Sequence, residues 1–248
     1  MTIAEGDFTA ILGPNGSGKS TLARLLTGLC QPTRGRVLVD GRDTRDREAL
    51  WEVHRTVQLI FQIPENQIVG TSLAEDVAFG LANIGLPQAE MAERIAWALS
   101  LVGLGDRADD SPHSLSGGEK QRLAVAAAVA LEPRYLVLDE ATAMLDPGAR
   151  RELMAMLLRI RSERRLGLIH ITHHFEEVLE ADRVVLMDGG RLQLVAPPAE
   201  LLCRPDLLAA CGIELPYLPA LAARLRQGGL TDLAPNPTLS EVVKQLCS

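Results

Sequence analysis

Gly13-Pro14-Asn15-Gly16-Ser17-Gly18-Lys19-Ser20 fits the phosphate-loop pattern at every fixed position, and its surroundings fit as well. Asp7 to Leu12 runs into an apolar stretch that reads as a strand, and Thr21 to Leu29 reads as the helix that follows. In such a loop the glycines let backbone amides turn inward around the β- and γ-phosphates of a nucleotide. Lys19 adds a mobile positive charge, and Ser20 offers a hydroxyl to Mg²⁺. The fold class this implies is α/β with a phosphate-loop NTPase core. A phosphate loop by itself leaves GTPases, kinases, helicases and transport motors open.

A second stretch narrows that choice. In Leu115-Ser116-Gly117-Gly118-Glu119-Lys120-Gln121, Ser116 is placed as a helix N-cap with Glu119 three residues on. This capping box predicts a helix through Leu123, Val125, Ala126 and Val129. Capping does not explain Gly117 and Gly118, which sit in the first turn and each cost up to about 1 kcal/mol against Ala. Glycines there leave the amides of the helix N-terminus bare, and a bare N-terminus binds phosphate.

Composition sets outer limits. A chain of 248 residues accommodates one large α/β domain, or one domain with a small appendage. With 47% hydrophobic and only 3% aromatic residues, the core must rely on Leu, Ala, Val and Ile. A net charge of −7 argues against a nucleic-acid partner, because backbone binding needs a basic face. Cys30, Cys203, Cys211 and Cys247 show neither C-x-x-C nor metal spacing and read as reduced thiols of a cytosolic protein. The longest apolar run, Leu123 to Leu131, falls short of a membrane span, so a membrane role must be peripheral.

Along the chain, Val37-Leu38-Val39-Asp40-Gly41 reads as a strand and turn, and Val57 to Phe61 as a short strand ending at Gln62. From about Thr71 to Leu131 the texture is helical, with Met91, Ile95, Leu99 and Val102 at core spacing. Tyr135 to Glu140 is a near-continuous apolar strand ending in two acids, the form of a central parallel strand buried on both faces. Arg150 to Ile160 reads as a crossover helix, Leu166 to Thr172 as the next strand, and Arg183–Met187 with Arg191–Val195 as a closing pair around Asp188-Gly189-Gly190. The expected organisation is a nucleotide-binding domain over 1–196, with a helical subdomain at about 71–131, and a helical extension over 197–248. In the extension, Leu218, Leu221, Ala222 and Leu225 share one apolar face, open to core packing or to a subunit contact.

An ATPase needs a metal-binding acid, a base for water and a sensor of the γ-phosphate. Asp139 supplies the first, through a metal-bound water. Glu140 is the candidate general base. Gln62 is placed to reach Mg²⁺ or water and report γ-phosphate occupancy. His173, directly after a strand, is the candidate γ-phosphate hydrogen-bond donor; His174 is its rival, and His170 within the strand reads as a packed core residue.

These residues occur in an order that resembles the ATP-binding cassette ATPases, over nearly the whole chain, with Leu145-Asp146 as a further turn of that pattern. The resemblance implies ATP and Mg²⁺ as ligands. Gly13 through Lys19 with Ser20 and Thr21 would hold the nucleotide, and Ser20, Gln62 and Asp139 the metal. It also implies a head-to-tail dimer with a second cassette ATPase, a copy or a paralogue, in which Ser116, Gly117 and Gly118 touch the γ-phosphate held by the partner. Asp146 would lie in the turn that communicates across that interface. A narrower similarity, to the energy-coupling factor transporters, rests on Phe61-Gln62-Ile63-Pro64-Glu65-Asn66-Gln67, Glu75-Asp76-Val77-Ala78-Phe79-Gly80, Asp139 to Pro147, and Leu221-Ala222-Ala223-Arg224-Leu225. It implies an ATPase subunit at the cytoplasmic face of the cell membrane. That subunit would drive uptake of a vitamin or transition-metal ion through a membrane T subunit and, indirectly, a substrate-binding S subunit. The C-terminal extension would add to the dimer contact, and the Ala141-Thr142-Ala143-Met144 variant leans toward one member of a heterodimeric pair. The alternatives are the ATPase of another ABC transporter and a soluble cassette ATPase outside transport. Ile63 stands where the subfamily has Asn, which is expected to affect coupling more than hydrolysis. Relatives also carry two strands and an adenine-stacking aromatic ahead of Thr2-Ile3-Ala4-Glu5-Gly6. Two expectations follow, that the start codon is set too far downstream or that this form binds ATP more weakly, and the first is favoured because every other motif is intact; Phe8, the nearest aromatic here, is expected to be core.

Overall fold

The computed structural model describes residues 1–229 and 233–246. Cys247, read above as a reduced thiol, lies outside them. In chain order the elements are β1 (Phe8–Leu12), α1 (Lys19–Leu26), β2 (Leu38–Val39), β3 (Arg42–Asp43), α2 (Leu50–Thr56), β4 (Val57–Ile60), α3 (Leu73–Asn83), α4 (Gln88–Leu101), α5 (Gly117–Ala130), β5 (Tyr135–Asp139), α6 (Pro147–Arg164), β6 (Gly167–Thr172), β7 (Arg183–Asp188), β8 (Arg191–Ala196), α7 (Pro198–Leu202), α8 (Pro205–Ala210), α9 (Tyr217–Gln227) and α10 (Leu239–Leu246). They fall into two compact units, Met1–Asp7 with Ser20–Ile171, and Phe8–Lys19 with Thr172–Ser248.

In the first unit β4, β5 and β6 run parallel, with Leu59 opposite Val137 and Leu138 opposite His170. Leu136, Val137 and Leu138 are fully buried, as a strand covered on both faces requires. His170 is fully buried too, in line with its reading as a core residue. Helix α5 packs on α3, α4 and β4. It buries Leu123, Ala124, Val125, Ala126, Ala128, Val129 and Ala130, so it is apolar nearly all round, as an interior helix should be. Its start is the capping box the sequence predicts: Ser116 Oγ accepts from the Glu119 amide, and Glu119 Oε2 accepts from the Ser116 amide at 2.8 Å. On α4, Leu99 and the following Val102 are buried while Met91 and Ile95 are half-buried. Helix α6 begins at Pro147, three residues before the predicted Arg150, because Asp146 Oδ1 caps it by accepting from the Gly148 and Ala149 amides at 2.8 and 3.1 Å. Helix α2 is an element the sequence reading left out. It is only seven residues long and buries just Val53, so its periodicity is weak.

In the second unit β1 and β7 run parallel, and β7 and β8 pair antiparallel around Gly189 and Gly190, both at positive φ as a tight hairpin demands. Phe8 is fully buried. Among the described residues no strand precedes β1. The extension follows as α7 to α10. On α9, Ala222 is buried with Leu233 and Val242, and Leu221 and Leu225 pack against that cluster. Leu221, Ala222 and Leu225 of the face left open between core packing and a subunit contact thus pack on Leu233 and Val242 of the same extension. Among the described residues no helix is long and apolar enough to cross a membrane.

Candidate functional site

The phosphate loop belongs to the second unit. Gly16 and Gly18 adopt φ of 79° and 96°, where a side chain would be strained. Gly13 is needed for a different reason: a Cβ there would stand 2.3 Å from the Met187 carbonyl oxygen. Lys19 is buried, and its Nζ donates to the Gly13 and Pro14 carbonyls at 2.8 and 3.0 Å. Ser17 closes the loop, donating its amide to the Pro14 carbonyl and accepting from the Gly190 amide. Its Oγ is buried without a hydrogen-bond partner, a polar atom aligned with a loop built to take phosphate. His173 is half-buried in the turn after β6, its ring 4.1 Å from that of His174 and tilted 40° to it. The His174 amide donates to Thr172 Oγ1 at 3.0 Å.

The first unit brings together two residues 119 apart in the chain: Ser20 Oγ donates to Asp139 Oδ1 at 2.9 Å. Asp139 is buried at the end of β5. Glu140 leaves the strand at φ 53°, an uncommon left-handed conformation for a glutamate, and its amide donates to the Ile171 carbonyl. Hydroxyl and carboxylate oxygens of this kind are the hard donors Mg²⁺ takes, so Ser20 and Asp139 fit the metal. Gln62 is exposed two residues after β4, and Thr21 is exposed on α1. Ser116 and Gly117 are exposed, and a Cβ on Gly117 would meet nothing within 4 Å. Packing inside this chain therefore gives no reason for that glycine. Gly118 lies closer to the fold, with the Ala149 Cβ 3.5 Å from where its own would be.

Three residues without an assigned role in the sequence reading hold this region in place. Gln67 closes the loop after β4, accepting from the Phe61 amide and donating to the Leu59 carbonyl, each at 2.8 Å. Asp76 accepts from the Val69 and Gly70 amides at 2.7 and 3.0 Å. Gln121, on the buried side of α5, donates to the Phe61 carbonyl at 3.4 Å. A polar residue on the inward side of an apolar helix was the one sequence signal for the last. A cleft of about 350 Å³ lies alongside, lined by Glu65, Ile68, Val69, Thr71, Pro112, His113 and Lys120 among others.

The family described as ABC transporter matches residues 1–143. The chain is 48% identical over 247 residues to the energy-coupling factor transporter ATP-binding protein EcfA1 of Symbiobacterium thermophilum, covering 100% of this chain and 86% of the relative. It is 44% identical over 231 residues to the cobalt import ATP-binding protein CbiO of Syntrophus aciditrophicus, covering 93% and 82%. Among solved structures it is similar to cbiO1 from Clostridium perfringens, described as part of the ABC transporter complex cbiONQ. That match has a TM-score of 0.78 and 35% identity, and covers 92% of this chain and 90% of the other. It is also similar to the ATP-binding cassette MJ0796, solved as a dimer in a post-hydrolysis state with ADP and Pi. Here the TM-score is 0.71 and the identity 28%, with 80% and 88% covered.

Proposed function

This chain belongs to the ABC transporter family, among the ATP-binding subunits of energy-coupling factor transporters, and from that premise we propose how its residues divide the work. It is an ATPase whose hydrolysis is coupled to transport. Lys19 and the amides of Gly13 to Ser20 take the phosphates, with Thr21 beside them. Ser20, Gln62 and, through a metal-bound water, Asp139 would hold Mg²⁺, which would supply neutralisation of the phosphate charge. Glu140 accepts a proton from the attacking water as that water bonds to the γ-phosphorus and the bond to the β-phosphate oxygen breaks. His173 donates a hydrogen bond to the departing phosphoryl group, and Gln62 positions the water.

The second ATP contact is made in trans. Ser116, Gly117 and Gly118 present a capped helix start with free space over Gly117, which suits the γ-phosphate of an ATP held by a second cassette subunit, a copy or a paralogue. The proposed organisation is a cassette over 1–196 with a helical subdomain at about 71–131, and an extension over 197–248 that adds to the dimer contact. The cleft beside Glu65 and Lys120, flanked by the exposed Ile63 and Val69, would receive a membrane T subunit, with an S subunit engaged through it. The protein then sits peripherally on the cytoplasmic membrane face. Cobalt or another transition-metal ion, or a vitamin, is the transported class, by similarity to the cobalt import protein CbiO.

The observation that carries this reading is the Ser20–Asp139 hydrogen bond, which joins the phosphate-loop serine to the acid at the end of β5. Its test is Glu140→Gln. ATP binding is expected to persist while turnover falls by at least about a hundredfold, the scale of a lost general base, and an ATP-dependent dimer should accumulate on gel filtration. Unchanged hydrolysis would mean another base is used. For docking, Val69→Asp should abolish co-purification with the T subunit while the detached ATPase keeps its rate.

A further inference from the structure

The capping box at the start of α5 closes with an acid, although a neutral glutamine caps as well as a glutamate. Glu119 Oε2 accepts from the Ser116 amide at 2.8 Å, and the carboxyl is held below its ordinary value chiefly by its hydrogen bonds to Ser116. A negative charge therefore sits in the same turn as Ser116, Gly117 and Gly118, the residues proposed to meet the γ-phosphate of the partner's ATP. Like charges at that range oppose binding. The answering charge comes from the loop that precedes the turn. Arg107 Nη1 donates to the other carboxylate oxygen, Glu119 Oε1, at 2.7 Å, while its Nε donates to Asp110 Oδ2 at 2.7 Å and its Nη2 to Ser114 Oγ at 3.2 Å. The loop has other anchors than this guanidinium: the Asp110 and Ala108 carbonyls accept from the Leu73 and Ala74 amides at the start of α3, at 3.1 and 2.9 Å. Arg122 also draws the Glu119 carboxyl down, but its own ion pair, at 3.7 Å, is with Glu152.

We propose that Arg107 is a positioning residue for the signature turn that acts through Glu119, neutralising the capping carboxylate so that the turn keeps its cap and still receives the partner's phosphate. This rests on the trans contact proposed above, and it names the group that makes an acidic cap compatible with that contact. Arg107 then serves the ATP held by the other subunit and leaves its own subunit's nucleotide untouched. Its loss strands a charge at the dimer interface without removing the hydrogen bonds that form the capping box. The cost appears when the dimer closes on ATP.

The experiment titrates ATP into the full-length Glu140→Gln protein with its partner cassette, reads dimer by gel filtration, and measures ATP binding by the separate subunit alongside. Arg107→Met keeps much of the side chain's length and removes its charge. It should raise the ATP concentration for half-maximal dimer about tenfold, the scale of one partly solvated charge pair, while ATP binding by the separate subunit stays within about twofold. Adding Glu119→Gln to Arg107→Met removes the stranded charge and keeps the cap, and should bring the dimer midpoint back to within about twofold of the parent. Arg107→Lys keeps the charge without the planar fork and should shift the midpoint by less than about threefold. A purely structural role gives the opposite pattern, because a second change in the same turn then adds to the defect. An unchanged midpoint in Arg107→Met, no recovery on adding Glu119→Gln, or an Arg107→Lys defect as large as that of Arg107→Met would overturn the proposal. A Glu140→Gln parent that forms no ATP-dependent dimer would instead overturn the trans reading itself, and that result is seen before any change is made at Arg107.

Discussion

At the level of single residues, shape constrains this ATPase as much as charge does. Gly13 has no room for a side chain, because a Cβ would stand 2.3 Å from the Met187 carbonyl oxygen. Gly13→Ala must push the loop away from β7, at about 1–3 kcal/mol for an overpacked site, and should lower both Tm and nucleotide affinity. Gly117 is the opposite case, since its space is open. Gly117→Ala should leave Tm equal or higher, Ala being the better helix former, while hydrolysis falls in the dimer and ATP binding by the separate subunit does not. Asp146 combines a cap and a turn. Asp146→Asn keeps an acceptor for the Gly148 and Ala149 amides and should hold stability, whereas Asp146→Ala should cost about 1 kcal/mol in denaturant unfolding. If both variants lose dimer activity equally, the trans-interface role of Asp146 is separate from its capping role.

Among the elements, α5 begins with the signature turn proposed to act in trans, and that first turn is electrostatically set. The Ser116 amide and side chain hold the Glu119 carboxyl below its ordinary value of 4.5, and Arg107 Nη1 adds an ion pair at 2.7 Å to Glu119 Oε1. A depressed folded-state pKa stabilises the fold above the unfolded value and ceases to do so as pH falls through the folded one. Stability should therefore decline below about pH 4.5 in part through this turn, and the Tm-against-pH curve of Glu119→Gln should be flatter there. The capping box was readable because it depends on residues three apart. The tie from Gln121 to Phe61 was not, because it joins positions 60 apart and depends on how α5 lies against β4. Helix α2 escaped for the reverse reason: it is short and exposes Trp51, so neither length nor periodicity marked it.

For the whole molecule, the sharpest expectation concerns Ser116→Arg. On the trans contact proposed for the signature turn, an arginine there would block the partner's ATP, so a homodimer of the variant should lose hydrolysis entirely, while a heterodimer with an unaltered paralogue should keep turnover at one site. Measuring residual activity in the two assemblies decides the composition. The phosphate loop, the capped signature and the acids at the end of β5 could be read in the sequence by itself, and with them the α/β class and the family, because each is a local pattern in which spacing dictates backbone geometry. Only the tertiary structure decided that Ser20 meets Asp139, that Glu140 turns out of its strand at φ 53°, that Gln121 holds the carbonyl before Gln62, and that the apolar side of α9 is covered by Leu233 and Val242. Those facts rest on contacts between distant parts of the chain, which are selected by packing against a shared core, and no local propensity encodes them.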